Sequence, residues 1–231
     1  MTPMARDRKT IYFELLVTVG LMVIPSLIGA VFHFLHPEQL LKQQAFPSWF
    51  FGSAIASSLL LIGLLWHIIR LNSESMEVFS MAFAPKDLLR GFGLWIWAGV
   101  SRFGTYQLLW SLSGGAAQAG KAPSRLEVFQ VPFSALYLLA MIVIPCLEEF
   151  YVRGFLQTRL KQAAWNGLAV VLVSTLLQTS YHLYQGLVAC LSLAPGFVIF
   201  AAYYQTSRRL WPVIVAHIIT DLLFMLLAMK A

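Results

Sequence analysis

Charge is what this sequence has least of. Of 231 residues only 11% are Asp, Glu, Lys or Arg, while 59% are hydrophobic and the mean hydropathy is +0.74. A soluble domain carries about 25% charged residues. Four stretches, residues 15–37, 43–69, 128–147 and 162–207, hold no formally charged side chain. A helix crosses a hydrocarbon core in about 20 residues, so each stretch is long enough to span it and the last is long enough to span it twice. The scarcity excludes a soluble globular protein and leaves a polytopic membrane protein. Cysteine is scarce too: Cys146 and Cys190 both sit in apolar runs, which suggests neither a disulfide framework nor a structural zinc site. The apolar runs lack the strict alternation of a transmembrane barrel, and in lipid a helix satisfies its own backbone, so an all-α bundle is expected. Internal repeats and low-complexity linkers are missing as well. The chain reads as one integral-membrane domain over residues 1–231, and its first apolar run is too long for a cleaved leader.

What charge there is leans basic, with 16 Lys and Arg against 10 Asp and Glu, a formal charge of +6 and a pI near 9.5. Seven spans are expected at about 11–35, 49–71, 88–112, 132–152, 165–183, 184–205 and 212–229, with six to eight admissible. With the N-terminus cytoplasmic, eleven basic residues fall inside (Arg6, Arg8, Lys9, Arg70, Lys86, Arg90, Arg153, Arg159, Lys161, Arg208, Arg209) and four outside (Lys42, Lys121, Arg125, Lys230). Such asymmetry orients membrane proteins. The excess base is therefore a topology signal, and without interleaved aromatics it does not describe a nucleic-acid groove. The partner it implies is membrane lipid, and no nucleic acid. Oligomeric state leaves no mark in the sequence.

Ionisable groups at membrane depth are costly and mark sites. Glu14 and His67 lie near span ends, where their side chains are expected to reach the interface. The segment IPCLEEFYVRGFL places Glu148 and Glu149 side by side, and at 100° per residue they cannot share a face. Glu149 and Arg153, four apart, stack and form an ion pair, which leaves Glu148 as a candidate general base or acid. The structural alternative is that both glutamates merely pair with Arg102 and Arg153. In LWPVIVAHIITDLL, His217 and Asp221 again stand at i and i+4 on one face. His182, in LLQTSYHLYQG, lies about 16 residues beyond a turn near 161–166 and Glu148 about 16 before it, so antiparallel helices bring them level.

These motifs, EEFYVR, QTSYH and HIITD, resemble in order and spacing those of the CAAX protease and bacteriocin-processing (CPBP, Abi) family of intramembrane endopeptidases. The resemblance covers about residues 140–225, with a motif-bearing core near 132–229. Its second motif departs, with Gln178 where the family usually has Phe. The resemblance implies that Glu148 activates a water, that His182 helps position it, and that His217 with the residue four on stabilises the oxyanion. An ionised Asp221 is no donor, so it is assigned to orienting His217. Glu149 and Arg153 support, and Arg102 is expected to line the substrate cavity. The implied function is cleavage of a membrane-associated peptide or protein, whether a prenylated CAAX-type, leader or C-terminal sorting segment, in a prokaryotic cytoplasmic membrane and without a cofactor.

Four rivals remain. Zinc suits the Glu, His and Asp set, although the HExxH spacing is missing. A Cys146 mechanism is weakened by the apolar surroundings of that thiol. A non-catalytic immunity or regulatory protein of the same fold has no reason to keep such costly groups. Inverted repeats, the cue for a transporter, are lacking, although Pro195 and Gly196 are expected to interrupt a span. Depth poses a problem: a full-length fifth span would carry His182 away from His217.

Overall fold

The computed structural model describes residues 7–42, 48–114 and 134–228. The polar loop expected around 113–127 lies mostly outside them, as do Arg6, Lys121, Arg125 and Lys230. Among the described residues all regular structure is helical. The long elements are α1 (Arg8–Met22), α2 (Ile24–Leu35), α3 (Pro37–Lys42), α4 (Ser48–Leu71), α5 (Lys86–Leu112), α6 (Ala135–Glu149), α7 (Thr158–Gln162), α8 (Gly167–Ser180), α9 (Leu187–Ser207) and α10 (Trp211–Ala228). A π-helical stretch, Phe150–Gln157, joins α6 to α7, so that one continuous rod runs from Ala135 to Gln162.

Four rods are long and apolar enough to cross a membrane: Arg8–Leu35, Phe51–Leu71, Ala135–Gln162 and Leu187–Ser207. Two apolar helices, Gly167–Ser180 and Trp211–Leu227, are shorter. The 27-residue α5 is long enough but mixes Lys86, Asp87, Arg90 and Arg102 into its apolar text. Polar caps set the starts of the site-bearing helices. Ser134 Oγ accepts from the amide of Tyr137 at 3.1 Å, and Asn166 Oδ1 accepts from that of Ala169 at 2.8 Å.

The depth problem is solved by the shortness of α8. Its 14 residues rise about 21 Å, less than the ~30 Å hydrocarbon thickness, so His182 stops inside the bundle. The chain then turns through a 3₁₀ segment, Leu183–Gln185, and Gly186, whose φ of 85° suits only glycine at low cost. The interruption expected at Pro195 and Gly196 does not occur, because α9 is continuous through both. Proline forfeits one backbone bond there, which a membrane helix tolerates.

The helix α5 lies at the edge of the bundle, with most of its large apolar side chains exposed, and packs most extensively on α9 and α10. Close approach depends on Gly91: a Cβ there would stand 2.6 Å from Val215 and 2.9 Å from the carbonyl of Pro212. Three apolar clusters frame the interior. The largest joins Ile11, Leu65, Phe79, Phe155, Tyr204 and Leu210 at the basic end. A second, with Phe51, Ile55, Tyr137 and Met225, lies on α4, α6 and α10, and the third, with Leu193, Phe197, Phe200 and Val213, on α9 and α10.

Glu14 does not reach for the interface. It is 8% exposed, lies 2.8 Å from Arg159 Nε, and accepts from Asn72 Nδ2 at 2.8 Å. Arg159, wholly buried, also pairs with Glu74 at 2.6 Å and stacks on Phe79 and Phe155. A buried guanidinium needs such company, and its two carboxylate partners lie 85 and 145 positions away in sequence.

Candidate active site

Glu148 and Glu149 end α6, and the wider turns of the following π-helical stretch carry Arg153 onto the inner face. Such stretches recur at functional sites. Arg153 and Glu149 are both wholly buried, with Arg153 Nη1 3.1 Å from Glu149 Oε2. The guanidinium also donates to the carbonyl of Phe197 at 3.2 Å and to Gln178 Oε1, and it sits over the rings of Phe197 and Phe200. Gln178 Nε2 returns a bond to Glu149 Oε1 at 3.1 Å. Desolvating two charges costs several kcal/mol per ion, and this density of partners is what offsets it.

Glu149 has a second task. Its Oε1 is 2.7 Å from His217 Nδ1, and because a carboxylate only accepts, Nδ1 donates. The imidazole is therefore held across the bundle by Glu149, with Nε2 4.0 Å from Glu148 Oε2 and 4.0 Å from Asp221 Oδ2. The orienting contact assigned to Asp221 from sequence is made by Glu149 at hydrogen-bond distance.

Glu148 faces elsewhere. Its side chain is 24% exposed where that of Glu149 is 0%, and it accepts from the Tyr181 hydroxyl at 3.3 Å. His182 Nδ1 donates to the carbonyl of Gln178 at 2.8 Å, so in a neutral ring Nε2 is the acceptor. Glu148, His182, His217 and Asp221 line a single cavity of about 940 Å³. Arg102 lines it too, with its guanidinium carbon 4.7 Å above the ring of Phe224. Among the described residues no three His, Cys, Asp or Glu side chains are grouped to hold a metal ion. Cys146 and Cys190 are both free thiols, and neither lines the cavity.

Three residues of this site escape a reading of the sequence. Gln178 is seen there only as a departure from a motif. Tyr181 precedes the histidine but has no pattern of its own. His33, on α2, lines the cavity with a buried Nδ1 that has no hydrogen-bond partner among the described residues. A search for formal charge passes over it, and the presence of a histidine within an otherwise charge-free span was the available signal.

Residues 130–223 match the family model described as Rce1-like, Type II CAAX prenyl endopeptidase Rce1-like. The match takes in Glu148, Glu149, Arg153, Gln178, Tyr181, His182, His217 and Asp221, and leaves α2 and α5 outside. Neither the curated proteins nor the solved structures gave a match to the chain. The segment that carries the site is thus similar to the Rce1-like CAAX endopeptidases, a family of proteases.

Proposed function

We propose that the chain is an intramembrane endopeptidase that hydrolyses a peptide bond of a membrane-associated substrate with a water activated by Glu148. The observation that carries this reading is the meeting of Glu148, His182, His217 and Asp221, from three separate elements, around one cavity. The 4.0 Å between Glu148 Oε2 and His217 Nε2 accommodates an oxygen about 2.8 Å from each at an angle of roughly 90°.

Glu148 takes a proton from the water as its oxygen bonds to the scissile carbonyl carbon. His182 Nε2 accepts a hydrogen bond from the water's other O–H, which stays on the attacking oxygen, and so fixes its lone pair toward the carbonyl. The developing oxyanion needs a donor, and His217 in its doubly protonated form supplies Nε2–H, with Glu149 balancing its charge through Nδ1. Asp221 accepts from a substrate N–H. The C–N bond then breaks as Glu148 returns the proton to the departing amine. Tyr181 holds the Glu148 carboxylate during both transfers. No metal enters these steps.

The substrate class follows the family: a prenylated CAAX-type tail, a leader or a C-terminal sorting segment, entering an apolar cavity. The full arrangement is seven spans with the N-terminus cytoplasmic, in a prokaryotic membrane. Here α5 and Trp211–Leu227 join the four long rods, and α8 is the short seventh, entering the bundle without crossing it in full.

The test compares peptide termini in membranes of cells expressing the wild type or Glu148→Gln at equal levels. At least one terminus is expected only with the wild type, and its formation is expected to survive treatment of the purified protein with a chelator. No Glu148-dependent terminus favours the binding-protein reading, and loss on chelation with recovery in zinc replaces the metal-free mechanism.

A further inference from the structure

The basic end of the bundle treats its cations in two ways. Arg159 and Arg209 are matched by acids: the first by Glu14 and Glu74, the second by Asp87. Lys161 and Arg208 are not, since among the described residues neither stands in an ion pair. Instead the two line one pocket of about 410 Å³, together with Val78, Thr158, Gln162 and Gln205. No acidic side chain is among the six.

The pocket is built from fixed parts. Arg208 Nη2 donates to the carbonyl of Val78 at 2.9 Å and to Thr158 Oγ1 at 3.3 Å, and its guanidinium carbon lies 4.7 Å over the Tyr204 ring. Nε and Nη1 make no hydrogen bond among the described residues. Gln205 donates to Gln157 at 2.8 Å, and Gln157 to Ser174 at 2.8 Å, so the inner wall is tied into the buried interior. Lys161 Nζ has one long bond, 3.4 Å to the carbonyl of Trp165. Two cations with donors to spare thus converge where nothing negative answers them, a composition that fits an anion with several acceptor oxygens.

We infer that this pocket binds a phosphate group, carried on a lipid headgroup or in solution. Its level points first to lipid. Trp165 Nε1 donates to the Tyr12 hydroxyl at 3.2 Å beside Lys161, and such aromatic pairs sit at the height of headgroups. Basic pockets between helices at that height hold anionic lipids. Nothing in this inference rests on the protease reading, and its test needs no substrate.

Full-length protein is reconstituted in mixed phosphatidylglycerol and phosphatidylcholine, and the lipids it retains are identified by native mass spectrometry. The wild type is expected to retain phosphatidylglycerol over the zwitterionic lipid. At the strength of one cation near a membrane surface, Lys161→Gln and Arg208→Gln each lower that retention about fivefold. Lys86→Gln, which removes an exposed cation outside the pocket, leaves it unchanged. A second arm titrates inorganic phosphate onto protein in pure phosphatidylcholine: a rise in Tm in the wild type, lost in the double variant, assigns the phosphate to solution. An equal loss in Lys86→Gln makes the effect one of diffuse charge and overturns the site, as does the absence of any preference or response in both arms. Should Arg208→Gln fail to fold for want of its bonds to Val78 and Thr158, Lys161→Gln decides the outcome alone.

Discussion

Gln178 bonds both members of the buried ion pair: Nε2 donates to Glu149 and Oε1 accepts from Arg153. A Phe, usual at this position in the family's motif, makes neither bond, so in this chain the placing of Glu149, and through it of His217, depends on an amide. Gln178 is a positioning residue and does not line the cavity. Hydrogen bonds to charged groups contribute about 1.5–3 kcal/mol, and 1.4 kcal/mol is tenfold in rate. Gln178→Met, similar in length but without the amide, is therefore expected to lower kcat about 10- to 100-fold and leave KM within about twofold, because the cavity walls are untouched. The measurement is the rate of appearance of the Glu148-dependent terminus; a rise in KM at unchanged kcat would show that Gln178 shapes the cavity instead. At this scale much of the site was legible. Lipid makes each buried ionisable group conspicuous, and the i, i+4 rule pairs Glu149 with Arg153 correctly. The contact between Glu149 and His217, 68 positions apart, was not, because nothing local encodes it.

At the scale of elements, α5 is fastened at its first turn. Asp87, wholly buried, takes Arg209 in two bonds of 2.7 and 2.6 Å, Arg90 at 3.2 Å, and the amide of Ala84 at 2.9 Å. This ties the start of α5 to the connection between α9 and α10, next to the close contact at Gly91. The Arg209 guanidinium, foremost among these partners, holds the Asp87 carboxyl below its ordinary value. With the folded value depressed, the contribution to stability is complete above the unfolded value of about 3.9 and is lost as pH falls through the folded one. Asp87→Asn is therefore expected to lower Tm by several degrees at pH 7, and the gap to the wild type should close as pH drops below about 4. A gap that persists at acid pH would mean that shape, not charge, makes the joint. Apolar runs made the spans readable, but the stop of α8 inside the bundle and the passage of α9 through Pro195 were hidden, since both are settled by neighbours rather than by propensity. The same holds for Glu14, whose closeness to a span end suggested the interface until Arg159 folded back onto it.

Across the whole molecule, the candidate reactive groups come from one stretch of the chain and the cavity walls from several. Glu148, His182, His217 and Asp221 lie within residues 130–223, while Ser26, Gly29 and His33 of α2, and a face of α5 from Trp95 to Tyr106, close the cavity from outside that stretch. On the proposed reading chemistry and selectivity are separable: the matched segment would supply the reactive groups, and α2 and α5 would add walls that shape what reaches them. Arg102 is the cation on that second set of walls, stacked on Phe224, the residue just beyond the matched segment. Its planar fork can take a substrate carbonyl or carboxylate in two bonds, whereas a lysine keeps only the charge. Arg102→Lys is therefore expected to raise KM about tenfold with kcat within about twofold and Tm nearly unchanged, measured on the same substrate terminus. Were kcat to fall with KM constant, Arg102 would belong with the groups that meet the transition state, and the division between walls and chemistry would have to be redrawn.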